Sequence, residues 1–306
     1  MSQKQVPRLL WLLILLPWTL SSVHGQHELE PTVPGGLVLL EQLRGAGSIE
    51  LIDPLDGVSS RSRSFPWEGQ WVGLVAVPAE SVPGDYRIVV NYDDSIEGDG
   101  FRLNVEQREF RLERIRLDHK LTELRDSEDP QKREESLEIQ QIYAGFNQDS
   151  GYAMPNFQWP IETEQIDYAR VSAHYGDRRV YIYSDGREIR SFHSGIDLAV
   201  RGGTPVVAPA AGRVVMAQDR IISGQTLVIE HLPGLYSVYF HLRKLLVRQG
   251  AEVERGQQLG LVGMTGLATG PHLHWEVRVN SIPVDPGILT EGDFPDKINA
   301  AAGVGN

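Results

Sequence analysis

Gly270-Pro271-His272-Leu273-His274-Trp275-Glu276-Val277-Arg278-Val279 alternates without a break. Leu273, Trp275, Val277 and Val279 fall on one face of an extended segment. His272, His274, Glu276 and Arg278 fall on the other, because successive strand side chains point to opposite faces. The stretch therefore predicts a half-buried strand from which two imidazoles project side by side. Outward from it, Thr204–Ala217, Thr226–Glu230 and Ser237–Leu242 read as further strands, separated by many glycines. Residues 151–290 are thus predicted to form a C-terminal antiparallel β-sheet domain, with 291–306 as a tail ending in small residues.

The N-terminal half also reads as β-structure. Gly36–Leu43, Ser48–Ile52, Gln70–Val77, Asp85–Tyr92 and Phe101–Leu112 are short apolar-polar segments punctuated by Gly, Pro and Asp. That spacing predicts a small immunoglobulin-like β-sandwich over 26–117. Trp67 and Trp71 are assigned to packing. Residues 118–150 are predicted as a helical connector, with a helix starting at Asp129-Pro130. Its apolar stripe would be Leu137, Ile142 and Tyr143, with Ile139 at the edge, and Glu134, Glu135 and Glu138 its solvated face. The fold class is mostly β.

Residues 1–25 stand apart. Lys4 and Arg8 precede an apolar run from Leu9 to Leu20 and a small-residue exit, Ser21 to Gly25. This is the layout of a secretory signal, and the run is shorter than the ~20 residues that span a bilayer. No later stretch is apolar enough to span, so the chain is predicted to be exported with no stable membrane span after signal removal. The full chain of 306 residues carries a formal net charge of −12. Without Lys4 and Arg8 it stands at −14, which argues against a nucleic-acid or anionic-lipid surface. There is no cysteine, which excludes a disulfide scaffold, a thiol nucleophile, a thiolate metal site and a lipid-modified N-terminal cysteine.

Four of the nine histidines and one aspartate carry the chemistry. In Phe192-His193-Ser194-Gly195-Ile196-Asp197-Leu198, even separation places His193 and Asp197 on one side of an extended segment. Tyr239-Phe240-His241-Leu242 sets His241 opposite Phe240 and Leu242. Catalytic zinc takes three protein ligands and keeps one position open, which a His, an Asp and a His would supply. Two further histidines would then manage protons or stabilise developing charge. His231 is assigned to a turn or to packing. His27, His119 and His174 have no partner nearby in sequence. The chain has no Gly-x-Ser-x-Gly elbow, no His-Glu-x-x-His and no phosphate loop. Gly260, Gly263, Gly266 and Gly270 are predicted to give tight turns and a narrow backbone wall beside a substrate.

These motifs resemble the LytM/lysostaphin-type zinc metallopeptidases, which cut peptide cross-links in bacterial peptidoglycan. The resemblance covers roughly Phe157–Pro286. It rests on His193-Ser194-Gly195-Ile196-Asp197, Gly203-Thr204-Pro205-Val206, Tyr239-Phe240-His241-Leu242, Gly256-Gln257, Thr265-Gly266 and Gly270-Pro271-His272-Leu273-His274. It implies His193, Asp197 and His274 as ligands of one zinc ion. It also implies His272 as general base and His241 as its companion, with the choice of base between the two left open. The β-region and connector resemble the immunoglobulin-like preface of many exported members. The implied substrate is a peptidoglycan stem or cross-link peptide, met in the periplasm or cell envelope. Two alternatives stand beside this: a regulatory wall-binding protein with a blocked groove, and a zinc peptidase acting on secreted or host proteins.

Overall fold

The computed structural model describes residues 27–96, 98–148, 156–162 and 169–290. The signal-like segment and the tail lie outside the described residues. In the N-terminal half, strands β1 (His27–Glu28), β2 (Leu37–Leu43), β3 (Gly47–Ile52), β4 (Val58–Trp67), β5 (Gln70–Ala76), β6 (Gly84–Tyr92) and β7 (Asp99–Val105) make one hydrogen-bonded path. The order is β1-β7-β6-β3-β4-β5-β2, antiparallel except for the short β1–β7 pair. The ten-residue β4 belongs to both halves, pairing with β3 through Val58–Arg63 and with β5 through Ser64–Trp67.

β4 escapes pattern reading because its inward positions include serines. Ser60 and Ser64 are buried. Their hydroxyls donate to the carbonyls of Ala76 and Gly45 at 2.7 and 2.8 Å, so burial leaves neither of these two hydroxyls unpaired. The concave side is filled by Ile49, Leu51, Val75, Tyr86, Ile88, Val90 and Leu103. Trp67 and Trp71 pack against the hydrophobic clusters.

The predicted strand Phe101–Leu112 is broken. β7 ends at Val105, and β8 (Leu112–Arg116) restarts in a different sheet. Between them Arg108 bonds Asp285 at 2.5 Å and the Pro34 carbonyl at 3.1 Å, latching this link to the C-terminal half. Two helices follow. α1 (His119–Asp126) is capped by Asp118, which accepts from the Leu121 N–H, and α2 (Pro130–Tyr143) by Asp129, with Pro130 in its first turn. The predicted apolar stripe of α2 is displaced. Ile139 and Tyr143 are the buried pair, four residues apart, while Leu137 is half exposed. Glu135 and Glu138 also serve as tethers, accepting from the Ile221 N–H at 2.9 Å and from Gln218 at 2.7 Å.

The C-terminal strands are β9 (Ala169–Ala173), β10 (Arg178–Ile182), β11 (Glu188–Phe192), β12 (Ile196–Val200), β13 (Pro205–Val207), β14 (Gly212–Arg220), β15 (Gly224–Leu232) and β16 (Leu235–Leu242). They continue as β17 (Lys244–Leu245), β18 (Glu252–Val253), β19 (Gln258–Leu261), β20 (Leu273–Val279) and β21 (Ile282–Val284). The main sheet runs β18-β14-β15-β16-β20-β12-β9, with β21 paired to β20, and is antiparallel throughout. β13-β19-β17 and β11-β10-β8 form two small sheets. β8 pairs parallel to β10.

As the alternation predicts, Leu273, Trp275, Val277 and Val279 are at most 1% exposed. They share one buried cluster with Phe65, Val72, Leu74 and Ala76 of the N-terminal sheet. On the opposite face of the main sheet, α2 seals Met216, Val228, Tyr236 and Val238 beneath Ile139 and Tyr143. That second face turns ionisable where α2 ends its cover. Among the described residues no helix is long and apolar enough to cross a membrane.

His231 sits near the end of β15 and is fully buried, as its packing assignment requires. Nδ1 donates to the Ala211 carbonyl and Nε2 accepts from the Ser237 hydroxyl, both at 2.7 Å. Burial pushes its pKa down to about 4. A depressed pKa stabilises the fold above the unfolded value and loses that contribution as pH falls toward the folded one. About 3 kcal/mol should therefore disappear between roughly pH 6.5 and 4. Urea unfolding at pH 7.5 and pH 4 checks this. The stability of His231→Gln should depend less on pH than that of the parent by that amount.

Candidate metal centre

Asp197 on β12, His274 on β20 and Phe240 on β16 are direct cross-strand neighbours on one face of the main sheet. His193 reaches the same point from the link between β11 and β12, so it and Asp197 do not share one strand as predicted. Gly195 makes that link possible. A Cβ there would lie 2.3 Å from the Trp275 carbonyl oxygen, closer than any side chain tolerates. His193, Asp197 and His274 are all buried, and together they form a metal-binding group.

The three donor atoms form a triangle. His193 Nε2 lies 3.0 Å from Asp197 Oδ1 and 3.0 Å from His274 Nδ1, and His274 Nδ1 lies 2.7 Å from Asp197 Oδ1. Their outer partners determine what faces inward. His193 Nδ1 donates to the His174 carbonyl at 2.9 Å, and His274 Nε2 to Glu276 Oε1 at 2.9 Å. In its neutral form each ring therefore turns a bare lone pair toward a carboxylate oxygen. Three electron-rich atoms this close repel one another unless a cation lies among them, and two imidazoles with one carboxylate suit zinc. The residues fit the metal.

The supporting partners were not assigned from sequence. Arg179 bonds the outer oxygen of Asp197 at 2.7 Å and Glu113 of β8 at 2.8 Å, leaving Asp197 a single oxygen for the triangle. Glu276 is 1% exposed. It accepts from His274, from Arg278 Nε at 2.6 Å and from the Ser194 hydroxyl. Glu276 and Arg278 share the polar face of the 272–278 alternation, a signal that was available. Arg179, in an ordinary Arg-Arg-Val-Tyr run, gave none.

Charge follows this wiring. Burial alone would raise the Asp197 carboxyl, yet His193 and His274 hold it well below the usual carboxylate range. Burial would lower His274, but its bonds to Asp197 and Glu276 push it up to about 9. Without metal, a proton on His274 answers the triangle's demand for a cation. Zinc must displace that proton at any pH below about 9. Near pH 7.5, binding should release close to one proton per ion, and apparent affinity should rise about tenfold per pH unit toward pH 9. Calorimetry in buffers of different ionisation enthalpy reads the proton count directly; a count of zero would contradict the wiring.

His272 and His241 flank the triangle. His272 Nδ1 donates to the Gly270 carbonyl and His241 Nδ1 to the Thr265 carbonyl, each at 2.8 Å. Their Nε2 atoms are left as acceptors. His272 Nε2 is 3.8 Å from Asp197 Oδ1, and the His241 and His272 ring centres are 4.9 Å apart. Burial, then the neighbouring His272 and His274 rings, pushes His241 down to about 3.

The prediction that Phe240 and His241 oppose each other needs correction. The β15–β16 register shifts between Gln225 and Leu227, and His241 takes a φ of 61°. Both rings consequently line the same cleft, and Phe240 stacks on His274 with centroids 5.1 Å apart and planes 6° from parallel. The cleft has a volume of about 610 Å³. β8 and α1 form one wall through Glu113, Ile115, Leu117, Leu121 and Arg125. Residues 267–271 form another. Of the four glycines, only Gly270 lines the cleft. Gly266, with φ of 72°, turns the chain against the Ile222 carbonyl, while Gly260 and Gly263 pack on the Lys244 and Arg243 backbone.

A buried His-Asp-His metal-binding group thus lies beneath this cleft, on an antiparallel sheet. Residues 191–286 match peptidase family M23. The peptidoglycan DD-endopeptidase ShyA of Vibrio cholerae serotype O1 is 36% identical over 153 residues, covering 47% of this chain and 34% of ShyA. The DD-carboxypeptidase/endopeptidase Mpg of Neisseria meningitidis serogroup B is 39% identical over 123 residues, 40% of this chain and 27% of Mpg. The match thus spans about a third or less of either relative. A solved Pseudomonas aeruginosa structure described as a peptidase M23 is 27% identical, with a TM-score of 0.55. It covers 84% of this chain and 93% of its own, so the likeness extends well beyond residues 191–286.

Proposed function

We propose that this chain is an exported zinc metalloendopeptidase that hydrolyses peptide cross-links of bacterial peptidoglycan in the cell envelope. The observation that carries the reading is the convergence of three bare donor atoms within 3.0 Å beside two further imidazoles facing the same cleft. The likeness to the peptidoglycan DD-endopeptidase ShyA supports the substrate, and that to the DD-carboxypeptidase/endopeptidase Mpg the reaction. Zinc in this donor set would polarise a scissile carbonyl and lower the pKa of water from 15.7 toward ~7.

The chain's own residues supply the rest. His272 Nε2 takes the proton of the attacking water and passes it to the leaving amine, a role that its carbonyl-anchored Nδ1 prepares. His241, kept neutral by burial, is the second acceptor beside it. Phe240 and Glu276 hold the His274 ring in plane and in tautomer. Arg179 keeps Asp197 to one inward oxygen. The 267–271 wall and the β8–α1 wall confine an extended peptide. Zinc-loaded protein incubated with purified sacculi should convert cross-linked muropeptide dimers to monomers with the glycan strands intact. Persistence of dimers while glycine-rich proteins are degraded would overturn the substrate assignment.

A further inference from the structure

Among the described residues, the cleft carries one arginine, Arg125, for which no carboxylate partner is found. The carboxylates lining it are Glu113, Asp197 and Glu276. Each is already paired: Glu113 and Asp197 with Arg179 at 2.8 and 2.7 Å, and Glu276 with Arg278 at 2.6 Å. Arg125, in the last turn of α1, lines the same cleft and is half-buried. Its guanidinium carbon lies 4.0 Å from the centre of the Tyr181 ring, and its Nε donates to the Tyr183 hydroxyl at 3.0 Å. Neither tyrosine neutralises it. Asp126, the next residue, is taken by Arg187 at 2.6 Å. Among the described residues Arg125 has no carboxylate partner.

The contact over the Tyr181 ring and the Nε bond hold the guanidinium in place, and among the described residues the fork of its two terminal nitrogens is uncommitted. Such a fork matches a carboxylate with two parallel hydrogen bonds. A preorganised fork loses little freedom on binding, and a partly desolvated cation gains most from an anion that completes it. The placement is also informative. Tyr181 lies two residues along β10 from Arg179, the residue that grips Asp197, and two strand residues span ~7 Å. That is roughly the length of two residues of an extended peptide. In a chain of net charge −12, which repels acidic ligands in bulk, a fixed cation inside the cleft focuses attraction there.

We propose that Arg125 is the anion-recognising group of the cleft, binding a carboxylate of the peptide substrate about two residues from the scissile bond. The proposal rests on the peptidase reading for the identity of the ligand as a peptide. Arg125 lies outside the segment matched to the M23 family, so it would give this chain a selectivity supplied by its connector.

The test uses two muropeptide dimers with the same cross-link, one with free carboxylates and one with them amidated. Zinc-loaded wild-type protein should favour the free acid by roughly tenfold to hundredfold in kcat/KM, the range expected of one charged hydrogen-bonded pair. Arg125→Ala should bring that ratio close to one, Arg125→Lys should keep part of it, and Arg125→Glu should invert it. A wild type that treats both dimers alike overturns the proposal. So does an Arg125→Ala protein that loses rate equally on both with the ratio intact, since that marks a merely structural role. Failure of the peptidase reading shows itself separately, as cleavage of neither dimer. Calorimetric binding of the same two compounds then decides. A free-acid preference that vanishes in Arg125→Ala sustains the proposal, and equal or absent binding by wild type overturns it.

Discussion

Asp197→Ala is expected to lose stoichiometric zinc and to leave peptide hydrolysis at background, a fall of roughly 10³–10⁴-fold, because a Lewis acid supplies several kcal/mol and each 1.36 kcal/mol is tenfold. The size of the effect follows from Asp197's position between two sets of partners. Oδ1 is the one anionic corner of the triangle, and Oδ2 is the acceptor of Arg179. Its loss removes the site's only negative ligand and strips a half-satisfied guanidinium of one partner. Metal analysis and an activity assay on the same preparation check the outcome. A variant that still holds one zinc per chain would show that the ion lies elsewhere. His193→Ala should behave in the same way, with a smaller loss of fold stability because Arg179 keeps its partners.

His272→Ala should separate binding from chemistry. The ring anchors itself to the Gly270 carbonyl and stands outside the 3.0 Å triangle. Zinc should therefore remain at one equivalent while turnover falls by roughly 10²–10⁴-fold, the range for loss of a positioned proton acceptor. Unchanged affinity for an uncleaved muropeptide would accompany that fall. Normal turnover in this variant would remove His272 from proton transfer and leave His241 as the acceptor to test.

Local alternation made much of this architecture legible. The 273–279 strand, its buried Trp275 face and the projection of His274 follow from period two alone, and the Asp129-Pro130 start of α2 from capping chemistry. What stayed illegible involved long-range satisfaction of polar groups. β4 looks like loop because Ser60 and Ser64 take the place of apolar residues, and their partners come from strands elsewhere. The seating of α2 on Ile139 and Tyr143 depends on the apolar patch that β14, β15 and β16 present. His241 reaches the cleft beside Phe240 only because a register shift breaks the alternation that predicted otherwise. Arg179 and Arg125 became visible only once β8 and α1 were placed against β10, a pairing between segments more than fifty residues apart.

One zinc ion is expected among His193 Nε2, Asp197 Oδ1 and His274 Nδ1. Crystals of the zinc-loaded protein, measured on both sides of the zinc absorption edge, test it directly. A single strong anomalous peak is expected within bonding distance of those three atoms, at ~2.0–2.2 Å from each. No peak there, or a peak held by other residues, would contradict it.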